Sequence, residues 1–116
     1  MATLKYEYEA YLEQTGTGAP VEKLLVKNTL PFSPVWAYSA AGNYSIQCTG
    51  AFSIDNTIIR FESAYQSEGA NAGIIKTNAF IDEMPDKIYF IFADYYNVLT
   101  DEHRFWVHIK VYENLL

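Results

Sequence analysis

The chain is predicted to fold as a single antiparallel β-sandwich of about eight strands, all-β, with an immunoglobulin-like or jelly-roll-like arrangement. Three observations predict it. Apolar residues recur with a period of two almost everywhere, and a helical period is supported nowhere. Turn residues punctuate the chain at intervals of roughly 8–15 residues, the rhythm of a sandwich or small barrel. Finally, 116 residues with 50% hydrophobic and 19% charged side chains suit one domain spanning 1–116.

The clearest strand runs from Leu4 to Glu13. Leu4, Tyr6, Tyr8, Ala10 and Leu12 share one face, and Lys5, Glu7, Glu9, Tyr11 and Glu13 share the other. On a helix the same residues would scatter tyrosine and glutamate around the whole circumference. Gly16, Thr17, Gly18, Ala19 and Pro20 then make a turn, because glycine permits positive φ and proline cannot donate to a ladder. A second strand follows over Val21–Thr29. Pro31 and Pro34 break the chain, each pushing its predecessor out of helical geometry. Val35–Ser39 and Tyr44–Thr49 form a hairpin through Ala40, Ala41, Gly42 and Asn43, with Tyr44, Ile46 and Cys48 on one face of its second arm.

Beyond Gly50, Asp55 and Asn56 turn the chain into a strand over Ile58–Tyr65, where Ile59, Phe61 and Tyr65 oppose Arg60 and Glu62. Ser67–Gly73 reads as an exposed loop. Ile74–Ile81 is the sixth strand, and Met84–Lys87 a tight turn. Ile88–Tyr96 is apolar on both faces, with Ile88, Phe90 and Phe92 against Tyr89, Ile91, Ala93 and Tyr95. Asn97–Arg104 reads as a polar loop. Phe105–Tyr112 closes the chain, with Phe105, Val107, Ile109 and Val111 alternating against Trp106, His108, Lys110 and Tyr112.

Composition narrows the function. Acidic residues outnumber basic ones 14 to 8, a net charge of −6, whereas phosphate binding needs a clustered positive field. No nucleic acid partner is expected. The longest apolar run is far short of the ~20 residues of a membrane-spanning helix, so no membrane partner is expected either. The start carries Lys5, Glu7 and Glu9 and does not read as a signal peptide. One cysteine excludes an internal disulfide and a cysteine-built zinc site.

Catalytic constellations are sparse. Cys48 lies on the apolar side of its strand and reads as a buried structural thiol. His103 and His108 are five apart, one in a loop and one on a strand, whereas two ligands on one strand face need a spacing of two. The acidic clusters Asp82, Glu83, Asp86 and Asp101, Glu102 lack the spacing of a calcium loop and read as solvated turns. No serine sits in a strand-to-helix elbow, and Gly16 and Gly18 have no lysine or helix after them. The expectation is a protein that is not an enzyme and needs no cofactor.

The aromatic residues say more. A domain of this size buries about two-thirds of its unfolded-chain surface, and 10 Tyr, 7 Phe and 2 Trp compete for that interior. Tyr89, Tyr95 and Tyr96 sit in or beside the strand that is apolar on both sides. Trp106, His108 and Tyr112 take the outer face of the last strand, and Tyr11 that of the first. Taken singly, each fits core packing or a cross-strand pair. As a set they are candidates for an interface or a ligand surface. A neighbouring subunit could cover them, since aromatics enrich interface cores, or Trp106 and a tyrosine could stack on sugar rings.

The order of pieces also carries a resemblance. A strand leads into Gln14, Thr15, Gly16, Thr17, Gly18, Ala19, Pro20 and on to Val26, Asn28, Thr29, Leu30. Val35, Trp36 and Tyr38 follow, then Gly42 before Tyr44, and Gly50, Ala51, Phe52 with Asn56 and Thr57. Asp101 precedes a last strand ending in Ile109, Lys110, Val111, Tyr112. Nearly the full chain resembles small β modules encoded by bacteriophages and prophages of Bacteroidetes-type hosts. The resemblance implies a virion component made in the bacterial cytoplasm: a capsid decoration, head-fibre or tail-associated protein. Its partners would be other virion proteins and copies of itself as a homo-oligomer, with surface glycans as an alternative through a lectin-like or carbohydrate-binding role. The family brings no catalytic residues.

Overall fold

The computed structural model describes residues 2–53, 55–66, 76–81, 86–93 and 103–113. Eight strands form: β1 (Leu4–Glu13), β2 (Val21–Asn28), β3 (Val35–Ala40), β4 (Asn43–Gln47), β5 (Thr57–Gln66), β6 (Lys76–Ile81), β7 (Lys87–Ala93) and β8 (His103–Tyr112). No described residue is helical. The strands make two four-stranded antiparallel sheets, ordered β2-β1-β8-β5 and β3-β4-β7-β6. This is the β-sandwich that the period of two predicts. First and last strands pair in one sheet, β4 and β7 pair in the other, and the chain changes sheet at β2–β3, β4–β5, β5–β6 and β7–β8.

The two inner faces share one core. Tyr8, Ala10 and Leu12 of β1 and Phe105, Val107, Ile109 and Val111 of β8 meet Tyr44 and Ile46 of β4 and Ile88 and Phe90 of β7. Alternation along each strand delivers these side chains to a single side, as the sequence requires. Rings dominate the contact between sheets. Trp36 lies 5.5 Å from Phe90 and 5.8 Å from Phe105 between centroids, and the Tyr44 ring stacks on Phe105 at 6.1 Å. Phe61 meets Phe90 edge-on at 5.3 Å. Tilted and edge-on aromatic pairs of this kind add ~0.5–1.5 kcal/mol each beyond the area they bury.

The polar groups of Trp36, Tyr8, Gln14 and Tyr44 are paired. The Trp36 indole donates to the Tyr8 hydroxyl at 3.0 Å, and Tyr8 in turn donates to the Glu22 carboxylate. Burial, together with donation to Glu22, pushes the Tyr8 hydroxyl well above the usual phenol range and keeps it a donor. Gln14 is buried at the end of β1, where its amide donates to the carbonyls of Gly16 and Gly18 at 2.7 and 3.1 Å. Its oxygen accepts from Tyr44 at 2.8 Å. One side chain therefore closes the glycine turn and fastens it to the opposite sheet. The hairpin between β3 and β4 turns at Ala41 and Gly42, where a φ of 70° at Gly42 matches the twist that a two-residue hairpin needs.

Several boundaries differ from the sequence expectation. His103 and Arg104 begin β8 rather than ending a polar loop, because β5 continues far enough to pair with them. β2 stops at Asn28, where the Asn28 side chain accepts from Leu30 N at 3.0 Å and bends the chain away. A register shift between Leu4 and Tyr6 sets Leu4 opposite Tyr112, and Leu4 is exposed rather than inward. The expected loop over 67–73, the turn residues 84 and 85, and Tyr95 and Tyr96 lie outside the described residues.

Candidate functional site

Register builds the outer face of the β2-β1-β8-β5 sheet into rows that cross all four strands. Leu24, Tyr11, Trp106 and Glu62 form the central row, since Tyr11 pairs with Leu24 on one side and Trp106 on the other, and Trp106 pairs with Glu62. Lys27, Glu9, His108 and Arg60 form the next row by the same pairings. Val21, Glu13 and Arg104 flank the centre on its other side. An aromatic strip thus lies between two charged ones. Directly opposed residues in antiparallel strands bring their Cβ atoms within about 5.5 Å, so the members of each row are neighbours on the surface.

Diagonal contacts tie the β1 carboxylates to β8. The Trp106 indole donates to Glu9 at 2.9 Å, and its ring meets His108 edge-on at 5.6 Å. His108 Nε2 lies 2.6 Å from a Glu7 oxygen; because an ionised carboxylate only accepts, the ring proton sits on that nitrogen. Lys27 approaches Glu7 at 3.7 Å, and Arg104 approaches Glu13 at 3.2 Å. The hydrogen bond from His108 holds the Glu7 carboxyl below the usual carboxylate range against the opposing effect of burial. The charges of His108, Lys27 and Lys110 act in the same direction as that bond.

Beside Trp106 the surface dips into a depression of about 490 Å³ lined by Ile59, Arg60, Phe61, Glu62 and Trp106. This lies within the ~300–1,000 Å³ typical of small-molecule sites. Its wall is β5, an edge strand with only β8 beside it. Hydrophobic and charged groups alternate along that wall because Ile59 and Phe61 turn toward the core while Arg60 and Glu62 turn outward.

The structure brings Tyr11, Trp106 and His108 together, with Tyr112 farther along the same face of β8. Tyr89 lies on the other sheet, paired with Ser45 of β4. All five are half-buried, none fully exposed. The expected surplus of exposed rings therefore takes a different form. Among the described residues the exposed large apolar side chains are Leu4, Val21, Leu24, Leu25, Val26, Phe32, Val35 and Ile58, of which one is aromatic. The rings win the interior because each removes the most apolar area from water, and four of the aliphatic residues left outside, Val21, Leu24, Leu25 and Val26, belong to one edge strand.

That strand is β2, whose every residue is exposed. Val21 is 55% exposed, Leu24 60%, Leu25 47% and Val26 54%, and Phe32 in the following connection is 63% exposed. Two register shifts leave Lys23 and Val26 without partners on β1. Three residues of β2 therefore run past every two of β1, which sends Val21, Leu24 and Lys27 to one face and Glu22, Leu25 and Asn28 to the other.

Sequence reasoning missed Gln14, Glu7, Glu9 and the β5 pair Arg60 and Glu62 as parts of this architecture. For the glutamates the signal was present: acidic residues every second position on the outer face of β1, facing Arg, Trp and His every second position on β8. Cys48 is buried, with Sγ 3.5 Å from the Phe32 carbonyl. The carboxylate of Asp86 accepts from Gly50 N at 2.9 Å, so this acidic residue serves a turn. No helix of the described residues is long and apolar enough to cross a membrane.

No family model, curated protein or solved structure matches this chain.

Proposed function

We propose that this protein is a non-enzymatic structural subunit of a bacteriophage virion, a capsid-decoration, head-fibre or tail-associated protein that works through protein–protein contact. The observation that carries the reading is β2: an edge strand exposed along its whole length, with four apolar residues close together and Phe32 near by. Exposed apolar side chains gathered on one edge strand, Val21 and Leu24 on one face and Leu25 on the other, mark a place for a partner to grip that edge. The turn and core pattern resembling phage β modules supports the virion setting, and the net charge of −6 suits a protein outside a DNA-filled shell.

The two bulges define the mode of contact. A free edge strand is ordinarily a template for further strand pairing, and bulges blunt it by disturbing the register of its N–H and C=O groups. The partner, a second copy or another virion protein, therefore meets β2 through its side chains instead of extending the sheet. Light scattering on the purified protein tests this. Assembly of the wild type, alone or with its virion partners, and its loss in Leu25→Lys are expected. A strict monomer at high concentration that binds no virion protein overturns the reading.

A further inference from the structure

Beyond assembly, we infer that the outer face around Trp106 is a binding site for a neutral saccharide. Three features of the face converge on that chemistry. Trp106 offers a ring held in one orientation, its N–H occupied by Glu9 at 2.9 Å and its edge against His108. Tyr11 pairs directly with it across the strands, so two aromatic side chains lie next to each other in the central row. The depression beside Trp106 is walled by Arg60 and Glu62, an exposed donor and an exposed acceptor on the same strand. A pyranose has an apolar face of C–H groups and a rim of hydroxyls. The first stacks on an aromatic ring, and the second needs donors and acceptors of both signs at the ring's side.

The charges of the face select against other ligands. Glu7, Glu9 and Glu13 are already engaged by His108, Trp106 and Arg104, so β1 presents satisfied carboxylates rather than free cations. An anionic ligand would find Lys27 and Arg104 already committed to glutamates and Arg60 set beside Glu62. A purely apolar ligand would leave Arg60 and Glu62 buried without partners, which costs more than the stacking returns. A neutral sugar satisfies both. The site uses side chains that turn away from β2's inner face, so it can be filled while Leu25 is covered by a partner.

Titration of the full chain with neutral tetrasaccharides (cellotetraose, xylotetraose and chitotetraose), followed by proton–nitrogen NMR, tests the assignment. The chain has 2 tryptophans, and Trp36 packs in the core, so its indole signal is an internal reference. At least one sugar is expected to move the Trp106 indole signal and the amides of Arg60, Glu62 and Tyr11 while leaving that of Trp36 in place. Trp106→Ala is expected to weaken binding at least tenfold, and Glu62→Gln several-fold with the rest of the spectrum unchanged. Retained binding in Leu25→Lys, which is designed to abolish assembly, separates the two proposals. No shift with any of the three sugars at millimolar concentration, or shifts centred elsewhere on the surface, overturns the inference.

Discussion

Strand β1 has two neighbours, and they could hardly be treated more differently. On one side β8 runs in register from Glu13 to Tyr6, Phe105, Val107, Ile109 and Val111 are buried, and the outward residues pair across the strands. On the other side β2 slips register twice and buries none of its residues. Both neighbours are apolar in composition, so hydrophobicity does not separate them. Cover does. β8 is flanked by β1 and β5 and faces the opposite sheet through Phe105, which touches Trp36, Tyr44 and Phe90. β2 has a neighbour on one side only, and no described residue closes over its side chains. An apolar residue contributes to the stability of this monomer only where a second layer meets it.

The contrast can be broken at its strong end first. Phe105→Ala removes a fully buried ring at the junction of both sheets and is expected to destabilise the protein by about 3–5 kcal/mol, read from urea unfolding. Gln14→Ala comes next. It removes the acceptor that Gln14 gives the Tyr44 hydroxyl and the donor it gives two turn carbonyls, and a loss of about 1–3 kcal/mol is expected in the same measurement. An unchanged midpoint would show that water replaces the amide and that the turn is not fastened through it.

The outer side of the β1–β8 ladder responds to pH. The Glu7 carboxyl is depressed in the folded protein, so its contribution to stability is fully present above the ordinary carboxylate value, near 4.5. It is lost as pH falls through the lower folded value, where protonation of Glu7 weakens its bond from His108 and removes its attraction to Lys27 and Lys110. Unfolding midpoints measured from neutral pH downward are expected to fall across that window, and less steeply in Glu7→Gln. Identical pH profiles for the two proteins would remove Glu7 from the account.

The smallest effect on the monomer is expected at β2. Leu25→Lys replaces an exposed apolar residue by a charge that edge strands commonly carry, and the monomer's stability is expected to stay within about 0.5 kcal/mol. Its effect should appear in light scattering alone. A large loss of monomer stability would mean that Leu25 is packed, and the comparison with β8 would then have to be redrawn.

Much of the fold could be read in advance from particular residues. Leu4–Glu13 is bounded as its alternation indicates, and Tyr8, Ala10 and Leu12 point inward as that alternation requires. Phe105 to Val111 behave likewise on β8. The β2 segment was the weak point, since Val21, Leu24, Leu25 and Val26 do not alternate. That failure was itself the signal, because two bulges give the strand a repeat of three against its partner. The site was only partly legible. Trp106 and Tyr11 fall on outer faces by alternation, but their adjacency depends on β1 and β8, nearly a hundred residues apart, lying side by side in one register.

The sequence by itself determined that this chain builds pleated strands with one apolar face each, because the spacing of side chains along a strand is a local property. It also determined where the chain turns, since glycine and proline restrict or release backbone angles at their own positions. Which strand sits beside which, and so which apolar residues find a second layer, was decided only by tertiary structure. That choice is made by contacts between distant residues, and among the described residues it buries Tyr8, Tyr44, Phe52, Phe90 and Phe105 and leaves the leucines and valines of β2 open to water.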